Sequence, residues 1–270
     1  ICDQISDAVV DYYLSNCDAP ELARVACETM VTTNKVFIAG EVRGDGNLEN
    51  VNKDDIEAIT RNVIKSIGYE QDTFHWENVD IDINLHAQSA DIGMGVDANN
   101  KNDEGAGDQG IMFGYATDET DAYMPMPLKL SHDLLFELRN SRLSEEVTGL
   151  GPDAKSQFSI IYKDNKPVNI HSLVLSVQHH SSYKNEDIRN LVAPLIEKTI
   201  PKGWKCSAEN IFINPTGRFE IGGPHGDAGL TGRKIVVDTY GGVCPHGGGA
   251  FSGKDPSKVD RSGAYAARYI

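Results

Sequence analysis

Three glycine-rich segments carry embedded charge: residues 149–155, 217–234 and 247–260. With Arg261 directly after the last, they hold Lys155, Arg218, Arg233, Lys234, Lys254, Lys258 and Arg261, seven of the 25 basic residues. Asp153, Asp227, Asp255 and Asp260 are mixed among them. Glycines let backbone N–H groups approach an anion, cationic side chains neutralise it, and carboxylates suit Mg²⁺. That combination is the composition of a polyphosphate–Mg²⁺ site. The alternative is a set of exposed loops with ordinary salt bridges.

One run, Gly248-Gly249-Ala250-Phe251-Ser252-Gly253-Lys254-Asp255, comes within one residue of G-x4-G-K-[ST]. Asp255 stands where a P-loop has the hydroxyl that holds Mg²⁺, but the glycines and Lys254 remain, and a helix is expected to open near Val259. A plain Gly-rich turn is the competing reading. Gly105-Ala106-Gly107-Asp108-Gln109-Gly110 satisfies G-x-G-x-x-G. A dinucleotide fingerprint needs a buried strand immediately before it, and Asn100-Lys101-Asn102-Asp103-Glu104 is not one. A nicotinamide dehydrogenase therefore ranks last among the readings.

The elements that must position these loops are less explicit. At about 150 residues per domain, 270 residues make roughly two domains or one elaborate one. Hydrophobic residues at 40% and charged residues at 24% are ordinary for a globular chain. A formal charge of −15 argues against a general nucleic-acid or anionic-membrane binder, because both need positive surface. No apolar run approaches the roughly 20 residues of a membrane span, so no membrane partner is expected. The five cysteines, Cys2, Cys17, Cys27, Cys206 and Cys244, are scattered and form no CxxC pair. A reducing, cytoplasmic setting is expected rather than a disulfide scaffold. His225, His246 and Cys244 match no structural zinc spacing.

Ile1, Ile5, Ala8, Val9, Tyr12 and Tyr13 recur at helical spacing. Residues 23–29 and 36–42 are β-like around a turn at Thr32-Thr33-Asn34. Asn52 is a helix N-cap candidate, with an apolar stripe from Ile56 to Ile67 that stops at Gly68. Val79, Ile81, Ile83 and Leu85 alternate with Asp80, Asp82 and Asn84 as a half-buried strand. Residues 88–110 lose all periodicity and read as a disordered linker or a mobile functional loop. Helical spacing returns at Leu130, Leu134, Leu135 and Leu138, and again over 188–196, where Pro194 is expected to bend it. Strands are expected over 157–162 and 168–178, with short ones at 212–214, 219–221 and 234–239. Strand–strand–helix groupings recur about three times, which predicts an α+β protein rather than a βαβαβ nucleotide fold. Both ends stop in mid-pattern, so the sequence reads as a segment of a longer protein, a processed N-terminus being the alternative.

At its charged loops the sequence resembles the methionine adenosyltransferase (S-adenosylmethionine synthetase) family. The runs that carry the likeness are 105–116, beginning Gly105-Ala106-Gly107-Asp108-Gln109-Gly110, and 247–261, ending Ser257-Lys258-Val259-Asp260-Arg261. Gly151-Pro152-Asp153-Ala154-Lys155-Ser156-Gln157, Asn214-Pro215-Thr216-Gly217-Arg218-Phe219, and Ile221-Gly222-Gly223-Pro224-His225-Gly226-Asp227 running on to Gly232-Arg233-Lys234 support it. The likeness spans essentially the whole chain in one order.

The resemblance implies three similar sheet-plus-helix domains around pseudo-threefold symmetry, the third incomplete in this chain. Residues 1–90 with 222–262 would form the central domain, 117–221 the second, and 91–116 with 263–270 part of the third. It implies that ATP and L-methionine combine as the thioether sulfur displaces the whole triphosphate, which is then hydrolysed to pyrophosphate and phosphate. Sulfur is already a good nucleophile, so such a protein must mainly align it and neutralise an anionic leaving group.

Carried over position by position, Asp153, Lys155, Arg218, Phe219, Asp227, Arg233, Lys234, Ala250 and Lys254 resemble ATP contacts. Phe219 would pack on adenine. Lys155, Lys254, Asp108 and Arg233 would act in catalysis, and Glu41, Gln88, Asp227 and Lys258 would form the methionine site. Asp260 resembles a ligand for one of two expected Mg²⁺ ions and Glu28 a K⁺ ligand. The family likeness further implies a homodimer with active sites between subunits, often paired into a homotetramer. The family's catalytic Gly-His-Pro-Asp-Lys segment would lie immediately before Ile1. This leaves open the alternative of a non-catalytic nucleotide-binding or regulatory subunit. The loop after Gln88 reads Ser89-Ala90 where many relatives have Pro after Ser, with an active-site gate as its expected role.

Overall fold

The computed structural model describes residues 1–45, 51–87 and 108–270. Gln88, Gly105, Gly107 and most of the aperiodic 88–110 stretch lie outside the described residues. The chain forms two compact units, Ile1–Gly114 with Asp227–Ile270, and Tyr115–Gly226.

The first unit begins with helix α1 (Cys2–Asn16), whose Ile5, Val9 and Tyr13 recur every four residues and are fully buried. Strands β1 (Arg24–Thr32) and β2 (Lys35–Arg43) follow as an antiparallel hairpin. The turn is tighter than expected. Thr32 pairs with Lys35, leaving Thr33-Asn34 as a two-residue loop with Asn34 at φ 47°, a left-handed conformation that Asn tolerates well. Helix α2 (Lys53–Ile67) starts where Asn52 accepts the Asp55 N–H at 3.4 Å and ends at Gly68, φ 93°. A small hairpin, β3 (Glu70–Gln71) and β4 (Phe74–His75), leads to β5 (Asp80–Ala87). β5 lies parallel to β2, a pairing that needs a crossover such as α2. A two-residue strand, β9 (Gly229–Leu230), returns from late in the chain to pair with β1, giving the order β5-β2-β1-β9.

Strand alternation decides what this sheet offers on each side. Val25, Cys27, Thr29 and Val31 of β1 and Val36, Ile38 and Val42 of β2 are buried and belong to the core with α1 and α2, where Ile56 and Ile64 are also fully buried. Ala26, Glu28 and Met30 of β1 and Phe37, Ala39 and Glu41 of β2 therefore point to the opposite face, with Glu28 across from Ala39 and Glu41 across from Ala26.

The second unit holds α3 (Met126–Leu143), β6 (Leu150–Lys163), β7 (Lys166–His179), α4 (Asn185–Thr199) and β8 (Ile211–Ile213). Its sheet runs β6-β7-β8, antiparallel then parallel, over a core that includes Leu134, Leu173, Leu175, Val177, Ile188 and Val192. Pro194 lies inside α4, which continues through it to Thr199.

Three local expectations are corrected. β6 begins at Leu150, so Asp153 and Lys155 sit on a strand and not on a glycine loop; the ladder is irregular between Leu150 and Ala154, where Pro152 supplies no N–H. Residues 219–221 form no strand, because Phe219 exchanges backbone and ring hydrogen bonds with His179 instead. The β-branched run expected as a strand over 234–239 closes into a short helix, α5 (Ile235–Asp238), with the Asp238 N–H on Lys234 O and the Thr239 hydroxyl on Ile235 O. Helix α6 (Val259–Tyr269) opens at the residue expected from the sequence. Among the described residues no helix is long and apolar enough to cross a membrane.

Candidate functional site

β1 is paired along its whole length with β2, and β9 covers only Met30 and Val31 on its other edge. Residues 253–255 take the rest of that edge. The Cys27 N–H donates to Gly253 O at 2.8 Å, the Asp255 N–H donates to Val25 O at 3.1 Å, and Ala26 and Lys254 form an antiparallel bridge. The segment passes so close that a Cβ on Gly253, which has φ +77°, would lie 1.9 Å from Cys27 O. Only glycine fits there, and Lys254 is thereby delivered beside β1.

Three anchors hold this turn. Asp255 is fully buried; its carboxylate accepts the Val25 N–H at 2.7 Å, the Ser257 N–H at 2.9 Å and the Lys258 ammonium at 2.5 Å. Burial alone raises a carboxyl pKa, but the Lys258 cation and the two N–H donors hold Asp255 below its ordinary value. Asp7 of α1 accepts from the Gly253 N–H at 3.0 Å and from Arg261 at 2.8 Å. Arg261 also donates to Lys254 O at 3.0 Å. Lys254 itself pairs with Asp260 at 2.6 Å. Asp260 lies in the first turn of α6, where a carboxylate is favoured by the helix dipole.

The result is a pocket of about 250 Å³ floored by β1 and β2, with Glu28, Gly40 and Glu41, and walled by Thr231, Ala250, Ser252 and Lys254. Four residues expected at a site (Glu28, Glu41, Ala250 and Lys254) meet here from sequence positions more than 200 apart. His86 approaches Glu41 at 3.5 Å. Cys27 borders the pocket, but its side chain belongs to the core, where burial pushes the thiol up to about 12 against a smaller lowering by the Ser6 hydroxyl. A thiol in that state is no nucleophile.

Gly40 is the narrowest point of the floor. At φ +140° an added Cβ would fall 1.9 Å from Ala26 O. Gly40→Ala is expected to destabilise this unit by about 2–3 kcal/mol through forced separation of β1 and β2. Thermal melts of the two proteins check it, with a fall in Tm of several degrees expected.

The other expected residues lie elsewhere. Arg233 and Lys234 are exposed, just after Thr231, and Lys234 is the N-cap of α5. Asp227 is exposed at the start of this unit's returning segment. Asp108 is exposed, accepts the Gln109 N–H at 2.7 Å and does not line the pocket. Lys258 uses one of its three ammonium protons on Asp255. In the second unit, Asp153 accepts the Gly223 N–H at 2.9 Å, Lys155 is exposed, Arg218 is 3.7 Å from Glu220, and Phe219 is held by His179. Asp7, Gly40 and Ser252 carry no sequence signal of a role, and Asp255 and Arg261 stand out in the sequence only as charges of the last glycine-rich run. An acid after the glycine-lysine pair was visible, but its burial was not.

Asp238 is pushed up to about 6 by desolvation and then by the nearby Asp3 and Asp7 carboxylates, against Lys234. Its folded pKa lies above its ordinary 3.8, so the folded form holds the proton longer, and stability falls as pH rises from about 4 to about 6. Asp238→Asn is expected to stabilise the protein at pH 7.5 by under about 1 kcal/mol, because the side chain keeps contact with solvent. The gain should vanish below pH 4; denaturant titrations at pH 3.5 and 7.5 check the sign.

A small pocket on one sheet face, with two carboxylates and one lysine in its lining, is a site that binds by charge. The sequence matches the family profiles described as S-adenosylmethionine synthetase, N-terminal domain, over residues 1–90, central domain over 103–219 and C-terminal domain over 221–270. It is 58% identical over 270 residues to the S-adenosylmethionine synthase of Rhodospirillum centenum, covering 100% of this chain and 68% of that protein. It is 56% identical over 270 residues to the S-adenosylmethionine synthase of Parvibaculum lavamentivorans and to S-adenosylmethionine synthase 2 of Rhodospirillum rubrum, with the same coverage of 100% and 68% in each case. The chain belongs to the S-adenosylmethionine synthetase family, a family of transferases.

Proposed function

We propose that the protein forms S-adenosyl-L-methionine from ATP and L-methionine, releasing pyrophosphate and phosphate by way of bound tripolyphosphate. The observation that supports this most is the pocket on β1 and β2, where Glu28, Glu41, Ala250 and Lys254 meet in a chain of net charge −15. The two carboxylates on the floor, Glu28 and Glu41, suit an ammonium group, while Lys254 on the wall suits an oxygen of the leaving triphosphate. The pocket therefore takes the amino-acid end of methionine, with Glu41 toward its ammonium; Lys258 toward its carboxylate is a role from the resemblance alone. Gln88 joins this site on the resemblance alone.

The triphosphate needs exposed cations, which Arg233 and Lys234 supply in the same unit. Asp153, Lys155, Arg218 and Phe219 are ATP contacts, with Asp227 facing both substrates and Asp108 a further acid. The methionine sulfur attacks the 5′ carbon as its bond to the triphosphate oxygen breaks, and the sulfur becomes a sulfonium. No side chain forms a covalent bond; the residues align the sulfur and neutralise the leaving group. Water then cleaves the tripolyphosphate.

Among the described residues no cluster of three or more His, Cys, Asp or Glu side chains forms a metal cage. Mg²⁺ fits nonetheless, because it is commonly held by one or two carboxylates plus substrate phosphates, and Asp260 is a partly exposed carboxylate of that kind. When bound it supplies charge neutralisation on the phosphates. Glu28 offers an exposed carboxylate to K⁺. Self-association as a homodimer or homotetramer is supported by the exposed Met30 and Phe37 on the sheet face away from the helices.

The experiment is methionine-dependent release of phosphate and pyrophosphate from ATP, with S-adenosylmethionine measured in parallel. Turnover that requires both substrates is expected. ATP binding without methionine-dependent turnover would replace this reading with a non-catalytic nucleotide-binding subunit.

A further inference from the structure

Between α1 and β1 lies a group of three hydroxyls that the chemistry above does not use. Ser6 and Thr29 are fully buried and Thr231 nearly so. Ser6 Oγ is 2.9 Å from Thr29 Oγ1 and 2.8 Å from Thr231 Oγ1. The Thr29 N–H donates to Thr231 Oγ1 at 2.8 Å, and Thr231 Oγ1 lies 3.2 Å from Thr29 O, which also accepts the Thr231 N–H at 2.9 Å. A one-directional chain satisfies every partner: Thr29 hydroxyl to Ser6, Ser6 hydroxyl to Thr231, Thr231 hydroxyl to Thr29 O. The next residue is tethered as well, because the Gly232 N–H donates to Asp3 of α1 at 2.8 Å. Arg233 and Lys234 follow at once, and both side chains are exposed.

We propose that Thr231 is a positioning residue for the leaving-group site: its buried hydroxyl fixes the backbone that presents Arg233 and Lys234 to a polyphosphate. The inference rests on the proposed role of those two cations. β9 contributes only two residues to the sheet, so the ladder alone holds the segment weakly. The hydroxyl group joins the segment to α1 and β1 simultaneously, within three residues of the charges it serves. Thr231 also lines the pocket, but its hydroxyl is bonded to Ser6 and Thr29, so an isosteric side chain leaves the pocket's lining in place.

The test compares Thr231→Val, Thr231→Ser and Ser6→Ala in the full-length enzyme. Binding of inorganic tripolyphosphate with Mg²⁺ is followed by calorimetry, beside KM for ATP and for methionine. Thr231→Val keeps the shape and leaves the Thr29 N–H without its acceptor. It is expected to weaken tripolyphosphate binding and raise KM for ATP at least tenfold, with KM for methionine changed less than threefold. Thr231→Ser should return both to within threefold of the starting protein. Ser6→Ala, which removes only one partner, should show a loss of three- to fivefold and supplies the test where Thr231→Val fails to fold. A merely structural Thr231 would lower Tm while the folded variant kept its tripolyphosphate affinity; that result overturns the proposal, as does a serine variant as impaired as valine. Starting protein that binds tripolyphosphate but turns over no methionine sinks the proposed reaction and leaves the Thr231 comparison readable. Starting protein that binds no tripolyphosphate overturns both.

Discussion

Lys254→Met should reduce S-adenosylmethionine formation by about two to three orders of magnitude while leaving the melting profile nearly unchanged. The magnitude is that of removing one preorganised charge that faces a developing anion. The fold survives because the backbone of Lys254, not its side chain, makes the bridge to Ala26, and Gly253 and Asp255 carry the neighbouring hydrogen bonds. The ammonium is partly exposed and its partner Asp260 is equally so, so Asp260 left alone is solvated rather than stranded. Steady-state kinetics at saturating ATP and methionine, with circular dichroism on the same preparation, separate the two effects. Turnover equal to that of the starting protein would remove Lys254 from the mechanism.

Asp255→Ala is expected to act in the opposite way, as a loss of folding that takes activity with it. The carboxylate is fully buried and bonded to three donors. Removing it leaves the Val25 N–H without its acceptor and the Lys258 ammonium without its counter-charge. Breaking one side of such a buried pair costs about 3–5 kcal/mol, which in a unit of this size lowers Tm by roughly 10 °C. Asp255→Asn keeps one of the two oxygens that accept backbone N–H groups and should fall between the starting protein and Asp255→Ala.

The pH dependence has a definite sign. Asp255 titrates below its ordinary 3.8 when folded, so its contribution is present above about pH 4 and is lost as pH falls through the lower folded value. The stability gap between the starting protein and Asp255→Asn should therefore narrow in acid. A gap that widens on acidification would mean that the carboxylate is not held by these donors. The contrast with Asp238, whose pKa moves upward, follows from the partners: Asp255 faces a cation and N–H groups, Asp238 faces two other carboxylates.

Much of the chemistry was legible in the residues. The glycine-lysine run at 247–254, the helix opening at Val259, the cap pair Asn52 and Gly68 around α2, and the alternation that makes β5 are all local signals, written within one or two turns of chain. Local signals misled where a long-range partner competed. The segment at Phe219 gave its hydrogen bonds to His179, and Asp153 and Lys155 joined a strand because β7 lay beside them.

What only the tertiary structure decided is which charges are buried and which are free. In the sequence, Asp255 and Asp260 are two acids five residues apart in one loop; in the fold one lies fully inside, holding the turn to β1, and the other is within reach of solvent and a cation. Composition and spacing set the inventory of groups, but desolvation depends on what packs against each from elsewhere. Here the packing comes from α1 and β1, more than 200 residues distant along the chain.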